Sequence, residues 1–423
     1  MRILLVNPWI IDFKAYDEWM RPLPLYRFLE TLSGSHDVGL IDCLAAVKRE
    51  KRYSTADFES ELIEKPEIFA SIPRRFKRYG MGIETFRAKL RDFGRPDVAG
   101  VTSLMTFWQP AYRLAVEEIR VMWGDVPVVL GGLYASLMPT HAASIPGVRL
   151  YNGRNFPAAA GSGRTFLTAA AMRGVLPLRL QEGCPFHCDY CASGHIHGRG
   201  VRRAPLEENL ARLEAFAASG GRDVVFYDDA LLYRFDDCFG PFLARVIELR
   251  YPVRMHLPNG IHARYVTARV AELMFAAGVR TVRLGYERPG AAEKVSGAEL
   301  ARAVGDLRAA GFDGRAIGVY LLAGLEPGLA GIREAADFIH SLGARVFFNR
   351  YSPVPGSALF ARKAAEFPEL PAKPLLHNDA TYLFTHGGFD WDEVRQLSEY
   401  IKGLNREQAA FMPAAQEGRG NLG

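Results

Sequence analysis

Two rhythms divide the chain. Over its first third, short apolar runs (RILLVNP, HDVGLIDC, DVAGVTSL, VPVVLGG) alternate with stretches of helical periodicity at 25–32 and 111–122. Strands separated by helix-length connections pair in parallel, with helices on both faces of the sheet. The pattern predicts an α/β fold that opens with a doubly wound, Rossmann-like domain over 1–150. Ligands of such sheets lie beyond the carboxyl ends of the strands, which makes Asn7, Pro8, Thr102, Ser103, Gly131 and Gly132 a candidate binding edge. None of these turns is a GxGxxG fingerprint, which argues against a dinucleotide.

From 176 onward the alternation tightens. Six strands are predicted near LPLRLQE, DVVFYD, VRMHLPN, TVRLGYE, AIGVYLLAG and RVFFNRY, each followed by a helical segment. Six units fall short of the eight that close a TIM barrel, so a partial (βα)6 barrel is expected over 176–355. The stretch 151–175, rich in Gly, Ala and Asn, is the expected linker. Residues 356–423 form an expected helical extension, with a helix near 391–405 and a terminal QEGRGNLG of disordered character. Polar residues fall where a barrel puts its chemistry, at strand carboxyl ends: Cys184, then Asp228 and Asp229, then Asn259, then Glu287.

With 423 residues, 49% of them apolar, the chain can build two folded domains. Its first apolar run soon meets Asp12 and Lys14, unlike a secretory leader, and no window reaches the roughly 18 apolar residues that cross a bilayer. A soluble, cytoplasmic protein without a membrane partner is expected. A net charge of +5 does not argue for nucleic acid. The dense runs KREKR (48–52) and RRFKR (74–78) lack an array of stacking aromatics and read as a solvated helix face or loop.

Five cysteines are present, an odd number, and Cys184, Cys188 and Cys191 crowd together. Crowding of this kind in a cytoplasmic chain points to metal or redox chemistry rather than disulfides. Cys43 and Cys238 stand alone and read as small buried apolar side chains. The segment Gly183-Cys184-Pro185-Phe186-His187-Cys188-Asp189-Tyr190-Cys191 has CxxxCxxC spacing directly after a predicted strand. Thiolates favour iron-sulfur clusters, zinc and copper(I). A structural zinc would take a fourth ligand from His187, His195 or His197, although a barrel mouth is a poor place for a zinc knuckle.

This spacing, with Tyr190 just before the third cysteine and the loop following the first barrel strand, resembles the radical S-adenosylmethionine (SAM) superfamily. FYDDALL, LPNGIHARYVT, LGYE and LLAGLEPG resemble later barrel segments of that superfamily. VAGVTSL and the Gly-Gly strand end resemble the cobalamin (B12)-binding domain that precedes the barrel in one subgroup, so the resemblance spans nearly the whole chain. It implies a [4Fe-4S] cluster on Cys184, Cys188 and Cys191 with one open iron for SAM, whose reductive cleavage yields a 5'-deoxyadenosyl radical. Carried over residue by residue, Tyr190 lies by the adenine, and Asp228 or Asp229 accepts from the SAM ammonium. Asn259 and Glu287 reach the ribose or methionine portion, and Arg202 or Arg203 pairs the SAM carboxylate. For the aspartates, capping of a following helix is the alternative; for a strand-end Glu or Arg it is an internal ion pair.

The first domain has no DxHxxG motif, an absence common in this subgroup. Two features depart from it: YNGRNF at 151–156 replaces an acidic GEGE-like segment, and Arg288-Pro289 follows Glu287 where serine is usual. Cobalamin binding is left open. Methylthiotransferases carry three further cysteines in their first domain, where this chain has only Cys43, so tRNA is not the expected substrate. Tyr227, Tyr233, Tyr286, Tyr320, His256, Arg350 and Tyr351, near strand ends, read as packing rather than substrate contacts. The expected function is a radical SAM enzyme that draws on an external one-electron reductant of flavodoxin or ferredoxin type. It would act as a cobalamin-dependent C-methyltransferase on a small metabolite or peptide; the alternatives are cobalamin-independent cyclisation, rearrangement or oxidation, or a non-catalytic zinc or iron-sulfur protein.

Overall fold

The apolar runs of the first third become the strands of one parallel sheet. A computed structural model describes residues 1–158, 165–287, 295–326 and 328–411. In it β1 (Arg2–Asn7), β3 (Asp37–Asp42), β8 (Val98–Val101), β9 (Val128–Leu130) and β10 (Val148–Leu150) lie in the order β10-β9-β8-β1-β3, every pair parallel. Ile3 to Val6 are buried on both faces, which is why β1 reads as a continuous apolar run rather than an alternating one. Helices Leu23–Leu32 and Gln109–Trp123 cover the sheet, each carrying a proline in its first turn, where a missing N–H costs nothing.

The basic runs between β3 and β8 correct the sequence reading. KREKR lies largely on β4 (Val47–Glu50), paired antiparallel with β5 (Ala56–Phe58). RRFKR leads into β7 (Lys77–Tyr79), which lies between β2 (Ile10–Asp12) and β6 (Ser60–Leu62). Arg78 is buried and pairs Glu61. Charged residues are tolerated here because β4 is an exposed strand of a two-stranded ribbon and the buried Arg78 of central β7 is paired. The anchors of these ribbons, Phe69 and Phe76 packed at 5.1 and 5.2 Å on Phe13, are too scattered to set a visible period.

The second half forms a six-stranded parallel sheet in strict chain order: β11 (Val175–Leu178), β14 (Asp223–Phe226), β15 (Arg254–Ile261), β16 (Val279–Gly285), β17 (Ile317–Ala323) and β18 (Arg345–Arg350). These are the six predicted strands, with β11 and β18 left as edges of a partial barrel. Val224, Phe226, Met255, Leu257, Val282, Leu284, Val319 and Leu321 form the core beneath the helices. Their alternates Val225, His256, Thr281, Arg283 and Tyr320 point to the other face. Among the described residues no helix is long and apolar enough to cross a membrane.

The first domain fills the lower barrel. Trp19, 2% exposed, packs with Val175 and Val225 and stacks on His256 at 4.5 Å. Tyr227 accepts from the Arg21 N–H at 3.0 Å and donates to the Trp19 carbonyl. The buried Arg21–Asp17 pair, 2.7 Å apart, is joined by Arg173, whose guanidinium donates to Asp17 and to the Leu44 and Met20 carbonyls. Arg173 belongs to the predicted linker, of which 159–164 lie outside the described residues. At the other end, helix Trp391–Phe411 sends Leu397, Ile401 and Leu404 into the barrel core. Asn405 accepts from the Val346 N–H and donates to the Val346 carbonyl, both at 2.9 Å, which satisfies the free edge of β18. Asp12 accepts from Trp108 at 2.9 Å and from Asn378 at 3.0 Å, tying the extension to the first domain. The terminal QEGRGNLG lies outside the described residues.

Candidate functional site

The cysteine loop grows from the end of β11 through a two-residue hairpin, β12 (Gln181–Glu182) with β13 (Arg202–Arg203). Between hairpin and loop stands Gly183, φ +101°, where a Cβ would fall 2.4 Å from the Gly200 carbonyl oxygen. Only glycine fits so close an approach in that conformation. The Cys184 N–H then donates to Gly198 at 3.1 Å, and the Cys191 N–H to Cys188 at 3.1 Å. The loop is clasped from outside by Arg199, which donates to the Phe186 carbonyl at 2.8 Å, and by Arg362, which pairs Asp189.

All three thiols open onto one cavity of about 420 Å3 at the carboxyl ends of the barrel strands, within the range of small-molecule sites. Tyr190, Asp228, Asp229, Asn259 and Glu287 line it with them, so eight of the residues singled out from the sequence share one space. Burial pushes the Cys184 thiol up, and the neighbouring Cys191 and Cys188 add to the shift. Among the described residues no three His, Cys, Asp or Glu side chains gather around a single ion position. Of the histidines weighed as a fourth zinc ligand, His197 pairs Glu182 at 3.0 Å, His195 abuts Gly356, and His187 is exposed; none lines the cavity.

The two aspartates follow β14. Asp228 Oδ1 accepts from the Leu180 and Gln181 N–H groups at 3.0 and 2.7 Å, so it fastens the base of the cysteine loop to β14 rather than capping a helix. Its Oδ2 and that of Asp229 are buried with no hydrogen-bond partner. Burial pushes the Asp228 carboxyl up to about 7. Asn259 donates to the Asp228 carbonyl at 3.0 Å, and Tyr320 to the Pro258 carbonyl at 2.7 Å. These bonds fix the irregular end of β15, where Gly260 gives only 3.4 Å between a would-be Cβ and Glu287 Oε1. Burial raises the Tyr190 phenol, and the charges of Glu287 and Cys188 act in the same direction.

Phe186, His262 and Tyr265 close a further wall, with Phe186 and His262 rings 4.8 Å apart and Tyr233 beside them. The sequence reading did not single out the first three, although IHARY following a strand end carried the signal. Of the strand-end residues read as packing, Tyr233 and Tyr320 line the cavity. Tyr227 and His256 face the first domain, Tyr351 packs on Tyr382, Tyr286 packs toward Phe338, and Arg350 pairs Asp379. Arg202 and Arg203 are not brought to the cavity. They pair Glu182 and Asp237 at 3.0 and 2.8 Å and line a separate groove. Arg288 and Pro289 lie outside the described residues. Cys43 is fully buried as expected, and Cys238 is half-buried beside the Leu180 carbonyl.

No protein-family model matches the chain, nor does any curated protein sequence. Among solved structures it resembles the radical S-adenosylmethionine methyltransferase TsrM from Kitasatospora setae, with cobalamin and a [4Fe-4S] cluster bound. The two share 17% identity and a TM-score of 0.61 over 86% of this chain and 78% of that one. The same methyltransferase with tryptophan substrate and the SAM analog aza-SAM gives 17% identity and a TM-score of 0.62, over 86% and 76%. The chain shares the fold of that methyltransferase.

In this fold the candidate cobalamin edge of the first sheet divides. Thr102, Gly131 and Gly132 line a small apolar cavity of about 120 Å3 with Leu5, Phe28 and Gly100. Asn7 instead donates to Asp42 at 2.7 Å and Ser103 to the Gly131 carbonyl at 2.7 Å, while Pro8 is buried. YNGRNF folds back through Asn152, which accepts from the Arg154 and Asn155 N–H groups. It thereby returns Tyr151 and Phe156 to Phe28, at 5.8 and 5.4 Å. The Phe156 ring lies so close to bare Gly100 that a Cβ there would meet it at 2.8 Å.

Proposed function

We propose that the chain is a radical SAM enzyme. Cys184, Cys188 and Cys191 hold a [4Fe-4S] cluster, and the adjoining cavity takes SAM. One observation carries the reading: three thiols share a strand-end cavity with two buried carboxylate oxygens, on Asp228 and Asp229, that have no donor of their own. An acceptor so placed suits an ammonium. A lone zinc ion would draw its sulfurs to about 2.3 Å from one point, whereas a cluster gives each thiolate its own iron and accepts thiols spread along a wall. Bound there, the cluster supplies the electron that splits the SAM sulfonium into methionine and a 5'-deoxyadenosyl radical.

The chain's residues orient the ligand. Asp228 and Asp229 take the ammonium, Tyr190 stands by the adenine, Asn259 and Glu287 meet the ribose or methionine portion, and the Phe186-His262 wall excludes water. Anaerobic reconstitution tests the reading: wild type should contain iron and sulfide and release 5'-deoxyadenosine under reduction. Cys188→Ala should lose both signals, and SAM cleavage retained by that variant would contradict the assignment.

A second reading adds cobalamin, favoured by an apolar slot at the strand ends beside Gly100, which Leu5, Phe28, Thr102 and Phe156 line. Bound there, cobalamin supplies a methyl group for transfer to carbon of a small molecule or peptide. A visible corrinoid spectrum after anaerobic purification supports this reading, and its absence leaves the cobalamin-independent reactions.

A further inference from the structure

A second cavity, of about 500 Å3, lies between helix Leu23–Leu32 and the β12-β13 hairpin and shares no lining residue with the cysteine cavity. Four arginines line it, Arg27, Arg179, Arg202 and Arg203, against one carboxylate, Glu182. Glu182 is already shared by Arg179 at 3.3 Å, Arg202 at 3.0 Å and His197 at 3.0 Å. Arg203 pairs Asp237 at 2.8 Å, whereas Arg27 has only a distant partner, Glu208 at 3.7 Å, and the Arg179 Nε is buried with no acceptor. Positive charge is therefore in excess, and Arg202, 66% exposed, carries it to the rim. The floor is the hairpin that runs through Gly183 into Cys184, and Arg202 also donates to the His197 carbonyl within that loop. One hairpin thus joins the groove to the cysteine loop.

We infer that this arginine groove docks an acidic one-electron carrier protein that reduces the cluster without entering the SAM cavity. The inference rests on the radical SAM reading, which requires a one-electron donor. The carrier loses one electron, the oxidised cluster gains it, and no bond or proton changes hands. An excess of arginine favours a partner of opposite charge and hastens encounter. The dispersed arginines, with apolar Leu23, Pro24 and Phe28 between them, suit a protein surface better than a single small anion.

Reduced flavodoxin is the probe. Mixed anaerobically with reconstituted protein, it should bleach the cluster absorbance at a rate that falls with added salt. The double variant Arg27→Glu/Arg203→Glu should slow this step about tenfold or more at low ionic strength, while reduction by dithionite, which needs no docking, stays unchanged. Arg27→Gln, a milder change at a half-buried position, should fall between. Wild-type rates with flavodoxin in the double variant, or rates indifferent to salt, would overturn the groove. If no cluster assembles, the radical SAM reading fails and the groove can still be judged: oxidised flavodoxin should bind cluster-free wild type, by calorimetry, more tightly than the double variant. Equal binding counts against it.

Discussion

Trp19 stacks on His256 at 4.5 Å with their planes 21° apart, and through this contact the first domain closes the lower end of the barrel. His256 is held in turn by Thr281 at 2.9 Å and Asp223 at 3.2 Å. Burial lowers its pKa, so a neutral ring meets the indole. Trp19→Ala should destabilise the protein by roughly 3–5 kcal/mol, the cost of emptying a large buried aromatic site. Urea unfolding measures it, and the loss should shrink when His256 is already alanine.

Asp228 gives stability a characteristic pH dependence. Burial raises its folded pKa from 3.8 to about 7, so the folded state keeps a proton that the unfolded chain releases. The stabilising contribution is complete below the unfolded value of 3.8 and disappears as pH rises through about 7. Asp228→Asn removes this slope. The urea midpoint of cluster-free wild type should fall relative to the variant across that window, and parallel curves would show a carboxyl ionised throughout.

The edge of β18 depends on one amide. Asn405→Ala leaves the Val346 N–H and carbonyl without their partner at a half-buried edge, which should cost about 1–3 kcal/mol. Light scattering at matched concentration should also register added self-association through the bared strand.

Phe156→Ala bears on the cobalamin reading. Removing the ring enlarges the slot beside Gly100, so hydroxocobalamin titrated under anaerobic conditions should bind the variant more tightly, with a shifted corrinoid spectrum. Affinity equal to wild type would mean that the slot does not receive the corrinoid.

The six barrel strands were legible because strands buried on both faces read as unbroken apolar runs, and the cysteines because thiolate chemistry depends on local spacing. Asp228, Asp229, Asn259 and Glu287 followed from the rule that strand carboxyl ends carry chemistry. Arg202 and Arg203 line a separate groove, and a two-residue strand has no period from which to read such a facing. Trp19, Arg173 and Asn405 act on residues far away in sequence, and nothing near them marks those partners. The ribbons around Phe13 escaped notice for a related reason: single aromatics anchor them.

Asp12 and Asn378 are 366 positions apart, yet one donates directly to the other. At synthesis rates of about 5–20 residues per second, a ribosome makes Asp12 tens of seconds before its amide donor exists. Until then the buried carboxylate has only its neighbours in the first domain, and the surface that receives the extension stays open. The amino-terminal domain thus reaches its finished packing only once Asn378 has been made, and variants of Asn378 should expose their defect in that first domain.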